Sequence, residues 1–356
     1  MRPNSKASLL SILKSDSEIW DLFTKKEEYD SHRLDEHQRF CYSFSRVRDP
    51  WDPRVSGFLI RKGLDVFYPD KRRFAICLTH DIDFVRYPLR KMGYELYRTL
   101  CKRRFKRSLK ILLSRLSKGL NYLSDFSQII EMERKYGAKS SFYFLALERG
   151  DFDFNFKIEE LKDDLRIIVG SGWEVGLHGG YEAYDSIKRI KEEKRRLETV
   201  IGREVLGCRN HYLRFRIPQT WEILKAAGFK YDTTFGYVDH IGFRNGICHP
   251  FIPYNLSSSK PVDILEIPLT IADFTLDNYM QLDWNSAWEL VKTLIDVTKR
   301  YNGVITILWH NTYMVDESLE FYEKILQYGE QQNAWMTSAE EIWRWWRDNN
   351  FFNFYE

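Results

Sequence analysis

The sequence predicts an α/β fold on a parallel sheet, either closed as a barrel or open and doubly wound, and three observations carry that prediction. From Asp125 onward, helical stretches alternate with short apolar runs, the pattern of repeated strand–helix–strand units. Glycines punctuate the helical stretches, at Gly170, Gly172, Gly202 and Gly228, where a left-handed C-terminal cap favours a residue without Cβ. Four of the eight histidines, His80, His178, His211 and His310, fall at or just past the ends of the apolar runs, as do Asp81, Asp83 and Arg209. In parallel α/β sheets that rim carries the functional groups.

The N-terminal 72 residues read as an α+β extension. Residues 9–13 and 19–23 suggest short helices, and 40–44 and 57–67 suggest strands or hairpin pieces separated by Asp49-Pro50-Trp51-Asp52-Pro53. No chemistry is visible in this stretch, and His32 and His37 read as surface residues. Residues 74–78, Phe-Ala-Ile-Cys-Leu, then form an apolar run without a polar break, as a buried strand does. Asp81 and Asp83 lie at its end. If the chain stays extended, period-two alternation puts both carboxylates on one side. Such a pair calls for a cation, a shared proton or an arginine.

Residues 86–122 read as a basic helical insertion in a main domain spanning 73–348. Between 86 and 118 there are 12 Lys or Arg against one acid, Glu95, so this segment carries +11 in a chain whose net charge is +3. Leu96, Leu100, Leu109, Leu112, Leu113, Leu116 and Leu120 recur in it at helical spacing. It reads as a solvated helix packed by its leucine stripe, or as an amphipathic surface that touches an anionic membrane. Nucleic acid is not expected, because no nucleic-acid module accompanies the charge.

The remaining elements follow in order. Helices are expected at 126–136, 158–169, 186–201, 218–227 and 286–300, and strands at 140–147, 173–178, 205–208, 229–231, 264–267 and 304–309. The chain closes with helix 317–331, strand 334–336 and helix 339–348, the last with Ser338 and Glu341 at capping-box spacing. Asp232 and Arg244 fall in polar loops and are candidates for lining a cleft; His240 and His249 read as loop residues. Composition, with 44% hydrophobic and 16% aromatic residues, excludes a disordered chain. The five cysteines are odd in number and lack a Cys-x-x-Cys pair, which fits a reducing compartment. Residues 1–14 lack the apolar core of a signal peptide, and no stretch has the length of a membrane span. The expected location is cytoplasmic, with peripheral contact at the inner membrane face through 86–118.

Five short motifs, taken together, resemble those of the polysaccharide deacetylases with a NodB-like domain, carbohydrate esterase family four. They are Thr79-His80-Asp81-Ile82-Asp83, then Gly176-Leu177-His178-Gly179-Gly180-Tyr181-Glu182, then Arg209-Asn210-His211-Tyr212, Tyr231-Asp232-Thr233-Thr234 and Leu308-Trp309-His310-Asn311. Within that family the chain is most similar to an uncharacterised bacterial branch that combines Thr-His-Asp-x-Asp with Trp-His-Asn, and the likeness covers residues 74–345. It implies an irregular (β/α) barrel and a metal-dependent hydrolase that removes an N-acetyl group from an amino sugar in a surface-polysaccharide precursor. By the resemblance, Asp81 is the general base, Asp83 and His178 are metal ligands, and Arg209 orients Asp81. The Tyr212 backbone amide steadies the oxyanion, and His310 is the general acid for the leaving amine. Zinc is the expected divalent metal for mixed imidazole and carboxylate ligands. The family's second motif supplies two histidines four residues apart, whereas here the later position is Glu182, so the third ligand is either His211 or Glu182. Trp309, beside His310, is a candidate for stacking on a sugar, with the core as its other home. Two other readings stay open: a catalytically silent sugar-binding or scaffold protein on the same fold, and an amidohydrolase for a small non-sugar amide.

Overall fold

The structure, a computed structural model, describes residues 8–86, 89–101, 103, 105–113, 122–349 and 351. Leu116 and Leu120 of the leucine pattern, and the rest of the insertion between 114 and 121, lie outside the described residues.

One parallel sheet organises the molecule. Its strands are β1 (Ala75–Ile82), β2 (Ser141–Leu145), β3 (Glu174–Gly179), β4 (Gly207–Asn210), β5 (Tyr231–Asp232), β6 (Leu265–Glu266), β7 (Leu269–Ala272), β8 (Val304–Leu308) and β9 (Trp335–Thr337). The order across the sheet is β6-β5-β4-β3-β2-β1-β8-β7. The first and last strands of that order are joined by only Ile267 and Pro268, so the sheet must curl until its edges are near neighbours: an irregular barrel. Strand β1 is its axis. It pairs with β8 on one side; on the other, its first half pairs with β9 and its second half with β2. All eight residues of β1 are buried, which is why residues 74–78 read without a polar break.

The helices form where the periodicity places them, and four of their starts from Asp125 onward are capped by a side chain. Asp125, Ser186, Asp283 and Ser338 each accept a hydrogen bond from a backbone N–H in the first turn of the helix that follows. Inside the barrel, space is so short that two strand positions exclude any side chain. A Cβ on Gly176 would run into the Tyr143 ring, and one on Gly207 into the Tyr231 ring.

The extension differs from its sequence reading. The stretch expected as a strand at 40–44 is a short 3-10 turn, Tyr42–Phe44, and the strand expected within 57–67 begins as a helix, Arg54–Arg61. Pro53 immediately precedes that helix, a position suited to proline, and Val55 and Leu59, four residues apart, are its buried face. The extension shares one hydrophobic core with the barrel: Leu13, Phe23, Val55 and Leu59 belong to the same cluster as Ile76 and Ile305. No helix among the described residues is long and apolar enough to cross a membrane.

Candidate metal centre at the sheet rim

Alternation along β1 sorts its polar residues. Asp81 and Asp83 point to the rim, and His80, between Asp81 and Thr79, points the other way. The His80 Nδ1–H donates to the Trp309 carbonyl (2.7 Å), and Nε2 lies 2.8 Å from Glu133 Oε1, with both side chains fully buried. Glu133 also accepts from Ser140, Trp173 and Tyr322. His80 therefore leaves the rim group and serves the layer between barrel and helices.

At the rim, β1, β3 and β4 bring Asp83, His178 and His211 together, with one potential ligand atom of each within 4.8 Å of the others. Asp83 Oδ1 is 3.2 Å from His178 Nε2 and 3.3 Å from His211 Nδ1, and the two imidazole nitrogens are 3.0 Å apart. The second nitrogen of each ring is already engaged. His178 Nδ1–H donates to the Arg209 carbonyl (2.9 Å), and His211 Nε2–H donates to Asp153 Oδ2 (3.3 Å). Each ring thus turns its other nitrogen toward Asp83, the arrangement of metal-ligating histidines with a carboxylate or carbonyl behind them. Three lone-pair atoms this close repel unless a proton or a cation lies among them. Burial pushes the Asp83 carboxyl up, but His211, His178 and His310 outweigh it and hold Asp83 well below the ordinary carboxylate range. Burial likewise works against a charge on His211, yet Asp83 and Asp153 carry its pKa up to about 9. The residues present fit a divalent cation: two imidazoles, one carboxylate, preset tautomers, and a buried Asp83 Oδ1 without a hydrogen bond.

Asp81 flanks this cluster, 3.8 Å from His178 Nε2. Its other oxygen is 3.7 Å from Arg209 Nη1, too long for a hydrogen bond, and Asp81 Oδ1 and both Arg209 Nη atoms are buried without one. Arg209 is held instead by Thr233, which accepts from Nε at 3.1 Å, and lies over the Tyr143 ring. On another side stands His310, whose Nε2 is 3.9 Å from Asp83 Oδ2. Asp273 grips it twice, accepting from the ring at Nδ1 (2.7 Å) and from the backbone N–H. Burial lowers the basicity of His310, but Asp273, Asp83 and Asp81 together carry its pKa up to about 10. Tyr212 follows His211 in a left-handed backbone conformation, φ 60°, which a non-glycine residue rarely adopts. Its hydroxyl donates to Asp153, and its carbonyl accepts from Arg39.

The structure thus gathers Asp81, Asp83, His178, Arg209, His211, Tyr212 and His310. Other candidates stand apart. Glu182, the alternative ligand, is exposed and ion-paired with Arg189 at 2.6 Å. Trp309 is fully buried and stacks on Phe321, with the ring planes within 8° of parallel, so its home is the core. Asp232 is buried and accepts from Thr234. Arg244 is buried in a paired contact with Glu28. Two residues that the sequence reading passed over, Asp273 and Asp153, sit at the site, and so does His37, which it took for a surface residue. Asp273 lies just past β7, so the strand-end rule finds it once that strand is recognised. Asp153 comes from the loop after β2. His37, from the extension, packs on the Tyr212 ring and is within hydrogen-bond distance of the Tyr181 hydroxyl.

No family model matches the chain, and no curated protein matches it. Solved structures do. A candidate polysaccharide deacetylase from Mycobacterium smegmatis is 14% identical with a TM-score of 0.56, covering 80% of this chain and 94% of its own. A second, from Pseudomonas aeruginosa PAO1, is 14% identical with a TM-score of 0.54, covering 79% of this chain and 93% of its own. At such identity the likeness concerns the fold: the chain folds as an irregular (β/α) barrel of the NodB-like deacetylase type.

Proposed function

We propose that this chain is a metal-dependent hydrolase that removes an N-acetyl group from an amino sugar, its substrate being a precursor of a surface polysaccharide. The observation that carries the reading is the meeting of Asp83, His178 and His211 at the rim with their tautomers already set, between a buried carboxylate and a charged imidazole. A divalent cation, zinc by the donor set, would be held by those three side chains and would polarise the acetyl carbonyl and make water easier to deprotonate. Asp81 takes the proton of the attacking water. The Arg209 guanidinium, its Nη1 3.7 Å from Asp81 Oδ1, orients Asp81 by charge rather than through a hydrogen bond. His310, charged because Asp273 faces its Nδ1, gives the proton at Nε2 to the departing amine. The N–H of Tyr212, on the strained turn after His211, is the donor assigned to the carbonyl oxygen as it gains charge.

Elemental analysis of protein purified without added metal, run beside Asp83→Ala and His178→Ala, tests the centre. Near-stoichiometric metal in the parent and its loss in both variants is the expected result, followed by acetate release from N-acetylglucosamine oligomers. No metal in the parent, even after equilibration with zinc, overturns the reading in favour of a silent binding protein.

A further inference from the structure

The basic insertion is not used by the proposed chemistry, and its surface is unlike that of the rest of the molecule. Its two helices, Leu89–Cys101 and Phe105–Leu113, form a hairpin. Inside it, Met92 and Leu96 pack with Ile111 and Leu123, and Thr99 Oγ1 meets Ser108 Oγ at 2.7 Å. At its foot, Lys110 pairs with Asp316 of the barrel (2.9 Å). The hairpin therefore has an inner face that is accounted for.

Its outer face is apolar and uncovered. Tyr94, Tyr97 and Leu100 are spaced by three on the first helix; Leu109 and Leu112 are exposed on the second, and Phe105 at its start is exposed at the mouth of the cleft it lines with Asp277, Trp284 and Glu317 of the barrel. Their exposures run from 47% at Leu112 to 69% at Tyr97, and these six are half of all exposed large apolar side chains among the described residues. A soluble surface rarely concentrates them so. The same 33-residue segment carries +11, while the remainder of the chain sums to −8. The leucine stripe of the sequence thus divides: Leu96 turns inward, and Leu100, Leu109 and Leu112 outward.

We propose that this outer face docks on an anionic membrane surface. Aromatic and leucine side chains enter the headgroup boundary while the excess positive charge of the same segment is drawn to lipid phosphates, a combination in which buried apolar area and charge attraction add. Charge complementarity selects the occupant, since a neutral protein groove would leave the cations unmatched. The inference stands apart from the proposed hydrolysis, because it needs none of the rim residues.

Co-sedimentation of the full chain with vesicles tests it. The chain binds phosphatidylcholine vesicles containing about one third phosphatidylglycerol, does not bind pure phosphatidylcholine, and releases in high salt. Paired changes on either component, Arg103→Glu with Lys106→Glu or Leu109→Gln with Leu112→Gln, weaken binding about tenfold or more. Leu109 and Leu112 are exposed, so thermal unfolding of that pair stays as in the parent; Arg103 and Lys106 line the cleft against Asp277, Asp316 and Glu317, so that pair is scored beside its own unfolding curve. A second readout uses Cys101, exposed while the other four cysteines are buried: an environment-sensitive fluorophore attached there shifts to the blue on phosphatidylglycerol vesicles. No binding by the parent, unchanged binding by both pairs, or no shift at Cys101 overturns the proposal. So does tighter capture by a DNA duplex than by the anionic vesicles.

Discussion

Asp273 shows how one carboxylate sets the state of a neighbour. It faces Nδ1 of His310 from inside the protein, and its charge is the main reason the imidazole holds a proton up to a pKa of about 10. Because that pKa is raised, His310 is charged below about 10 and loses its proton above it. In Asp273→Asn the shape is kept and the charge removed, so the alkaline limb of acetate release moves to lower pH. The rate near neutrality falls by roughly 10²-fold or more, in line with loss of a general acid. Deleting the acid itself, in His310→Ala, removes the limb rather than moving it. A pH–rate profile of the two variants separates the positioning residue from the group it positions. The sequence made one of these residues visible and hid the other. Asp81, Asp83, His178 and His310 were legible because each ends a run that is plainly a strand. Asp273 was not, because the strand expected at 264–267 ends before Leu269–Ala272, which follows Leu265–Glu266 so closely that no second strand was read there. Asp153 was hidden for a different reason: it reaches His211 across 58 positions of sequence, and no local pattern encodes that meeting.

Among the elements, the helix Arg54–Arg61 is one that the sequence misled about, and its anchoring depends on pH. Ser56 Oγ accepts from the Cys248 N–H and donates to His249 Nδ1 (2.9 Å), while His249 Nε2–H donates to the Asn302 carbonyl (3.2 Å). That chain of bonds requires a neutral imidazole. Burial pushes the His249 pKa down to about 4, whereas an unfolded histidine titrates near 6.5. The folded pKa is the lower one, so the contribution to stability is complete above about pH 6.5 and is lost as the pH falls toward 4, amounting to roughly 3 kcal/mol at most. His249→Gln keeps a donor and an acceptor but cannot titrate. Denaturant midpoints at pH 7 and near pH 4.5 should therefore fall further apart in the parent than in the variant; equal differences would mean that His249 does not sense pH. The misreading has the same origin as the anchoring. Residues 57–67 are apolar enough to suggest a strand, and only the packing of Val55 and Leu59 on the barrel selects the helical period.

For the whole molecule, the question is whether extension and barrel unfold together. They share one core, and the short helix Lys26–Tyr29 adds a charged tie: Glu28 meets Arg244 through two hydrogen bonds, 3.0 and 2.6 Å, with both side chains nearly fully buried. Arg244 also donates to the Gly236 carbonyl, in the segment that follows β5. Removing one partner of such a pair leaves the other charged and dry, which costs about 3–5 kcal/mol. If the chain unfolds as one cooperative unit, Glu28→Ala lowers a single transition by roughly 4–7 °C, since unfolding entropy grows with the number of residues that melt together. Calorimetry and tryptophan fluorescence would then give coincident curves in parent and variant alike. Two separated transitions, with only the first displaced by Glu28→Ala, would show instead that the extension melts from an intact barrel. The shared core argues for the single transition, because melting the extension alone would strip Val55 and Leu59 from their cluster and leave barrel side chains such as Phe251, which packs against Phe23, facing water.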